Sequence, residues 1–151
     1  MAALRSIFKW WIAILFFGVL LQIAFAGYGA FYAADKVDGG TIDEDTFSDG
    51  FGLHTGFGYI LFLGALLLVI LALLARPGKR KVWHSVAILG LLILQILLAW
   101  FGYGVPGVFG ALHPLNALVI VGAVGSLAAM EWKKGPMGMR DRATPAPPPA
   151  A

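Results

Sequence analysis

The 151-residue sequence contains no cysteine. That excludes disulfides, thiolate metal sites and covalent c-type haem attachment. Charge is scarce as well: 13 % of residues are charged against 60 % apolar, far from the balance of a water-soluble domain. The few charges are also confined. No Asp, Glu, Lys or Arg occurs from Trp10 to Ala34, from Gly50 to Ala75 or from Val82 to Met130. Each of these stretches exceeds the roughly 20 residues that cross a hydrocarbon core.

The third stretch is too long for one crossing. Gly102-Tyr-Gly-Val-Pro-Gly-Val-Phe-Gly110 divides it with the glycine and proline of a turn. The sequence therefore predicts four helices, near residues 10–33, 51–75, 82–101 and 111–132. In lipid every backbone amide must be satisfied internally, so the expected fold is an all-α, polytopic membrane four-helix bundle. Residues 1–134 form the transmembrane domain in this reading. Residues 135–151, ending Ala-Thr-Pro-Ala-Pro-Pro-Pro-Ala-Ala, read as a disordered Pro-rich cytoplasmic tail.

Ten of the eleven basic residues lie in three places: the N-terminus (Arg5, Lys9), the second connection (Arg76, Lys79, Arg80, Lys81) and the tail (Lys133, Lys134, Arg140, Arg142). Six of the eight acids (Asp35, Asp38, Asp43, Glu44, Asp45, Asp49) share the first connection with Lys36. The positive-inside rule places both termini in the cytoplasm and the acidic loop outside. The formal charge of +3 thus reflects topology, and no nucleic-acid partner is expected. Arg5, Lys9, the following apolar run and Ala24-Phe-Ala26 imitate a secretory signal. The run exceeds the typical apolar region of about 7 to 15 residues, so a retained helix is expected.

The chain reads as two pseudo-repeated helical hairpins. The first carries Leu21-Gln22-Ile23, Ala26-Gly27-Tyr28-Gly29 and Phe51-Gly52-Leu53-His54. The second carries Leu94-Gln95-Ile96, Phe101-Gly102-Tyr103-Gly104 and Phe109-Gly110-Ala111-Leu112-His113. The order matches but the spacing does not, Gln to the Gly-Tyr-Gly being five residues in one half and seven in the other. Parallel repeats are a known membrane architecture, and chance likeness of glycine-rich apolar segments is the alternative.

The repeat makes His54 and His113 equivalent, each expected within about one turn of its helix start and at the same membrane depth. Two imidazoles approaching from different helices can grip a metal. Gly58 and Ala117, one turn further along, are small and leave room for a flat macrocycle, and Asn116 shares the His113 face. Pro114 is expected in the first turn of the fourth helix, where its missing N–H is not needed. A zinc site needs three or four protein ligands, whereas haem b needs two axial ligands and an apolar slot. The sequence thus points to haem b on His54 and His113. The blander alternative is that each His bonds water or a backbone carbonyl at an interface. His84 has no partner at its depth and reads as interfacial. Gln22 and Gln95 read as helix–helix hydrogen-bonding residues. The acidic loop has Phe47 where a calcium loop needs an oxygen ligand, and reads as solvated. No nucleophile–base pair, phosphate loop or catalytic carboxylate pair is visible, so an enzyme is not favoured.

Gly52-Leu-His54-Thr-Gly56, Leu94-Gln-Ile-Leu-Leu-Ala99 and Leu112-His-Pro-Leu-Asn-Ala-Leu118 resemble an uncharacterised family of bacterial four-helix membrane proteins, over roughly residues 12–132. The arrangement also resembles one half of haem A synthase, in which paired His on the second and fourth helices of each half bind haem. That likeness implies His54 and His113 as axial ligands and a bacterial cytoplasmic membrane. The acid associated with catalysis in that enzyme has no counterpart in the charge-free stretches. The expectation is a small b-type cytochrome for electron transfer or redox sensing, with a cofactor-free accessory subunit of a respiratory or other membrane complex as the alternative.

Overall fold

A computed structural model of the chain describes residues 2–37 and 40–132. Four helices follow one another: α1 (Ala2–Asp35), α2 (Glu44–Ala75), α3 (Lys79–Gly104) and α4 (Pro106–Trp132). All four are long and apolar enough to cross a membrane. Even α3, at 26 residues, would span about 39 Å at 1.5 Å per residue, more than a hydrocarbon core of about 30 Å. The Pro-rich tail lies outside the described residues.

All four helices begin earlier than the charge pattern suggests: α1 at Ala2 rather than residue 10, α2 at Glu44 rather than 51, α3 at Lys79 rather than 82, α4 at Pro106 rather than 111. Charge ends an apolar run, but it does not end a helix, whose backbone bonds continue into the headgroup region. At α2 the start is set by Asp43. Its backbone is extended (φ −77°, ψ 166°) and its carboxylate accepts the Thr46 amide at 2.7 Å. The Thr46 hydroxyl first, and this amide second, hold the Asp43 carboxyl below its usual range, and Glu44 and Asp45 complement the helix dipole. The α2 end is capped by Arg76 in the left-handed region (φ 49°), its amide donating to Ala72 O at 3.1 Å. Pro77 and Gly78 (φ +112°) then turn the chain into α3. Val105 alone links α3 to α4. Pro106 suits a first helical position. Pro114, by contrast, lies inside α4 rather than in its first turn, and supplies no N–H to the carbonyl of Gly110.

The helices pack as a ring. α1 lies on α2 and α3 on α4 as the two hairpins, α2 touches α3, and α1 touches α4; the diagonal pairs, α1 with α3 and α2 with α4, make no close approach among the described residues. The end of the bundle that carries Lys9, Arg76 and Lys79, here the basic end, is filled solid. Phe8, Ile12, Leu68, Ile88 and Leu127 are all within 1 % of complete burial. Polar ties reinforce it: Trp11 Nε1 donates to Gly64 O at 2.8 Å, and the Lys81 ammonium meets the Glu131 carboxylate at 2.6 Å. Outward, Phe17, Phe31, Leu63 and Leu118 are each at least 60 % exposed. Apolar side chains displayed on every helix are what a lipid solvent selects.

The two hairpins are equivalent, in a register the sequence motifs only half reveal. Leu21-Gln-Ile-Ala-Phe-Ala26 overlays Leu94-Gln-Ile-Leu-Leu-Ala99. Seven residues past each Gln comes a glycine against which the partner helix crosses. A Cβ on Gly29 would lie 2.8 Å from Gly50 O, and one on Gly102 would lie 3.7 Å from Gly110 N. Gly29 is thus the counterpart of Gly102. The two Gly-Tyr-Gly strings are offset by two residues, which accounts for their unequal spacing.

Candidate functional site

Small residues hollow the acidic end of the bundle. Ala26, Gly58, Ala99 and Ala117, one on each helix, line a cavity of about 460 Å³. Larger side chains at these positions would close it, as they do at the basic end. Gly58 has a second reason to lack a side chain: a Cβ there would lie 3.0 Å from Gln22 Nε2.

Gln22, His54, Gln95 and His113 are among the polar side chains that line the same cavity. They form two matching clamps. Gln22 Nε2 donates to His54 O at 2.7 Å, and His54 Nδ1 lies 3.2 Å from Gln22 O. Gln95 Nε2 donates to His113 O at 3.0 Å, and His113 Nδ1 lies 3.1 Å from Gln95 O. A carbonyl oxygen only accepts, so each Nδ1 carries the proton and donates it. In a neutral imidazole that leaves Nε2 as the lone-pair nitrogen. Neither Nε2 has a partner among the described residues.

The clamps bring the two rings together although their helices are diagonal in the ring. The centroids of His54 and His113 are 6.2 Å apart with the planes at 64°. An imidazole–metal bond is about 2 Å long, so two rings gripping one ion from opposite sides have their centres about 6 Å apart. The arrangement has the spacing for two-point metal ligation, and each Nδ1–H···O=C bond is the outer contact that orients a ligating His. Among the described residues no group of three or more His, Cys, Asp or Glu gathers at one point.

The earlier helix starts alter where the ligands sit. His54 is ten residues into α2 (44 to 54) and His113 seven into α4 (106 to 113), not within one turn of the start. They nonetheless meet, because the additional turns of α2 project beyond the level of the pair. Asn116 does not line the cavity. It is 8 % exposed, and its Nδ2 donates to Leu91 O at 3.0 Å and Gln95 Oε1 at 2.7 Å, so it acts on the cavity only through Gln95. The matching position in α2, three past His54, is Phe57, whose ring meets Phe25 at 5.3 Å. Phe57 has no amide to give, and Gln22 Oε1 is buried with no partner.

Gln22 and Gln95 do make the helix–helix hydrogen bonds expected of them, but to the two His residues. The repeated Leu-Gln-Ile was the available signal for that pairing. His84 lies apart from the cavity. Its Nε2 is 3.0 Å from Ala123 O and 2.9 Å from Ser126 Oγ, so the ring ties α3 to α4.

Comparison with known proteins yields one family. No curated protein and no solved structure matches the chain. A family model described as a family of unknown function, DUF6220, matches residues 22–102. The match begins at Gln22 and takes in His54 and Gln95, stopping short of His113. Covering more than half of the 151 residues, it shows that the chain belongs to this family of unknown function.

Proposed function

We propose that this protein is a small b-type membrane cytochrome, binding one haem b between His54 and His113 for electron transfer or redox sensing. One observation carries the reading: two equivalent imidazoles, 6.2 Å apart by centroid, each with Nδ1 engaged by a backbone carbonyl and Nε2 free. Haem b asks the protein for two axial nitrogens and an apolar slot. The small residues on all four helices supply the slot, and the carbonyl-bound Nδ1–H groups favour Nε2 as ligand and raise its basicity. Among the described residues no carboxylate lines the cavity, which favours electron transfer or sensing over oxidation of a substrate. The resemblance to one half of haem A synthase agrees with the His pairing and extends no further.

Haem-replete protein reduced with dithionite should give the sharp band of six-coordinate low-spin iron. His54→Ala or His113→Ala should leave five-coordinate iron or none. His84→Ala should keep the spectrum, since that ring is engaged elsewhere. A colourless wild type overturns the cytochrome reading in favour of a cofactor-free subunit packed on a larger membrane complex.

The proposed setting is a bacterial cytoplasmic membrane with both termini inside, which places the His pair toward the outer surface. The charge asymmetry of the connections supports it. A reporter fused after Trp132 should be cytoplasmic and one inserted between Gly39 and Thr41 external. The opposite result reverses the orientation.

A further inference from the structure

The interior of the basic end is solid, but its outer flank carries a groove. Where α2 passes into α3, Ala72, Leu73, Val82 and Trp83 wall a hollow of about 360 Å³ that Arg76 and Lys79 also line. The wall faces outward, Leu73 being 58 % and Trp83 71 % exposed. Leu73 lies about one turn before Arg76, and Val82 and Trp83 about one turn after Lys79. On both helices the apolar wall is therefore about 5 Å nearer the middle of the span than the charges. That order, charge at the surface and hydrocarbon beneath it, is the order of groups along a phospholipid. A tryptophan at this level is also where such side chains meet lipid headgroups.

The two cations lack a counter-charge. Lys81 and Glu131 neutralise each other at 2.6 Å, and among the described residues no carboxylate pairs with Arg76, Lys79 or Arg80. The contrast with α2 is direct. α2 opens on Asp43, Glu44 and Asp45, whereas α3 opens on Lys79-Arg-Lys81 with no acid in its first turn. Cations crowded at the positive end of a helix dipole repel it and one another. An anion from outside the chain relieves both.

We propose that this groove holds one anionic phospholipid of the adjoining leaflet, its phosphate between Arg76 and Lys79 and an acyl chain along Leu73, Val82 and Trp83. The guanidinium of Arg76 offers phosphate a two-pronged contact, and the Lys79 ammonium a point charge. The groove is at the opposite end of the bundle from the His54–His113 cavity. It takes its lipid whether or not that cavity holds haem.

The test is native mass spectrometry of the full-length protein in a neutral detergent, titrated with phosphatidylglycerol. One lipid should be retained per chain. Arg76→Gln with Lys79→Gln should weaken that binding about thirtyfold. Lys9→Gln with Arg80→Gln removes the same charge from the same end but outside the groove, and should stay within about twofold of wild type. Two further arms use the unaltered protein. Phosphatidylcholine with the same chains carries no net charge and should not be retained, and inorganic phosphate, which cannot use the apolar wall, should not displace phosphatidylglycerol. The proposal is overturned if wild type retains no phosphatidylglycerol, or if phosphatidylcholine is retained equally. It is also overturned if both double variants weaken binding alike, the signature of diffuse attraction to a basic surface, or if inorganic phosphate displaces the lipid. None of these outcomes bears on the cytochrome reading, whose test is the haem spectrum.

Discussion

The basic and acidic ends of this bundle are built from the same four helices and the same apolar alphabet, yet one is solid and the other hollow. At the basic end Phe8, Ile12, Leu68, Ile88 and Leu127 interlock with almost no exposure, and the polar groups there, Lys81 with Glu131 and Trp11 with Gly64 O, satisfy one another. At the acidic end Ala26, Gly58, Ala99 and Ala117 withhold the volume that would complete the core, and two imidazole nitrogens are left without partners. Dense packing is the default for protein interiors. A symmetric void lined by oriented lone pairs therefore departs from the default at the place where a ligand would sit.

That contrast can be broken from either side. Filling the hollow gives the larger effect: Ala117→Phe should abolish haem binding while the helical circular dichroism signal and melting temperature of the ligand-free protein hold or rise. Unchanged haem content in that variant would mean the cavity is not the binding slot. Creating a hollow in the solid half gives the reverse. Leu68→Ala should cost about 2–5 kcal/mol of stability and leave the position of the reduced haem band where it was. A shifted band would show that the two ends are coupled and not separate.

Much of this architecture can be read from residue types, and the failures have physical causes. The four spans are legible because lipid forbids charge, and the charge-free runs mark them. Their ends are not, because Asp43, Glu44 and Asp45 begin a helix by capping and dipole effects that an apolar-run criterion counts against a span. His54 and His113 are legible as a pair because both follow a Leu-Gln-Ile segment by one helical hairpin. The register was obscured by the Gly-Tyr-Gly strings, while the glycines that matter, Gly29 and Gly102, are defined by where a partner backbone crosses. Asn116 shares the His113 face by spacing, but its amide points to Gln95 and Leu91, a direction that periodicity does not carry. The unpartnered Gln22 Oε1 becomes visible only when the two halves are superposed and Phe57 is found at the Asn116 position.

The most direct test of the account is the visible absorption spectrum of the wild-type protein and its His54→Ala and His113→Ala variants, purified from cells supplied with haem. The account predicts a six-coordinate low-spin spectrum for the wild type, sharpened by dithionite and lost in both variants. A colourless wild type, or a coloured one whose spectrum survives either substitution, would contradict it.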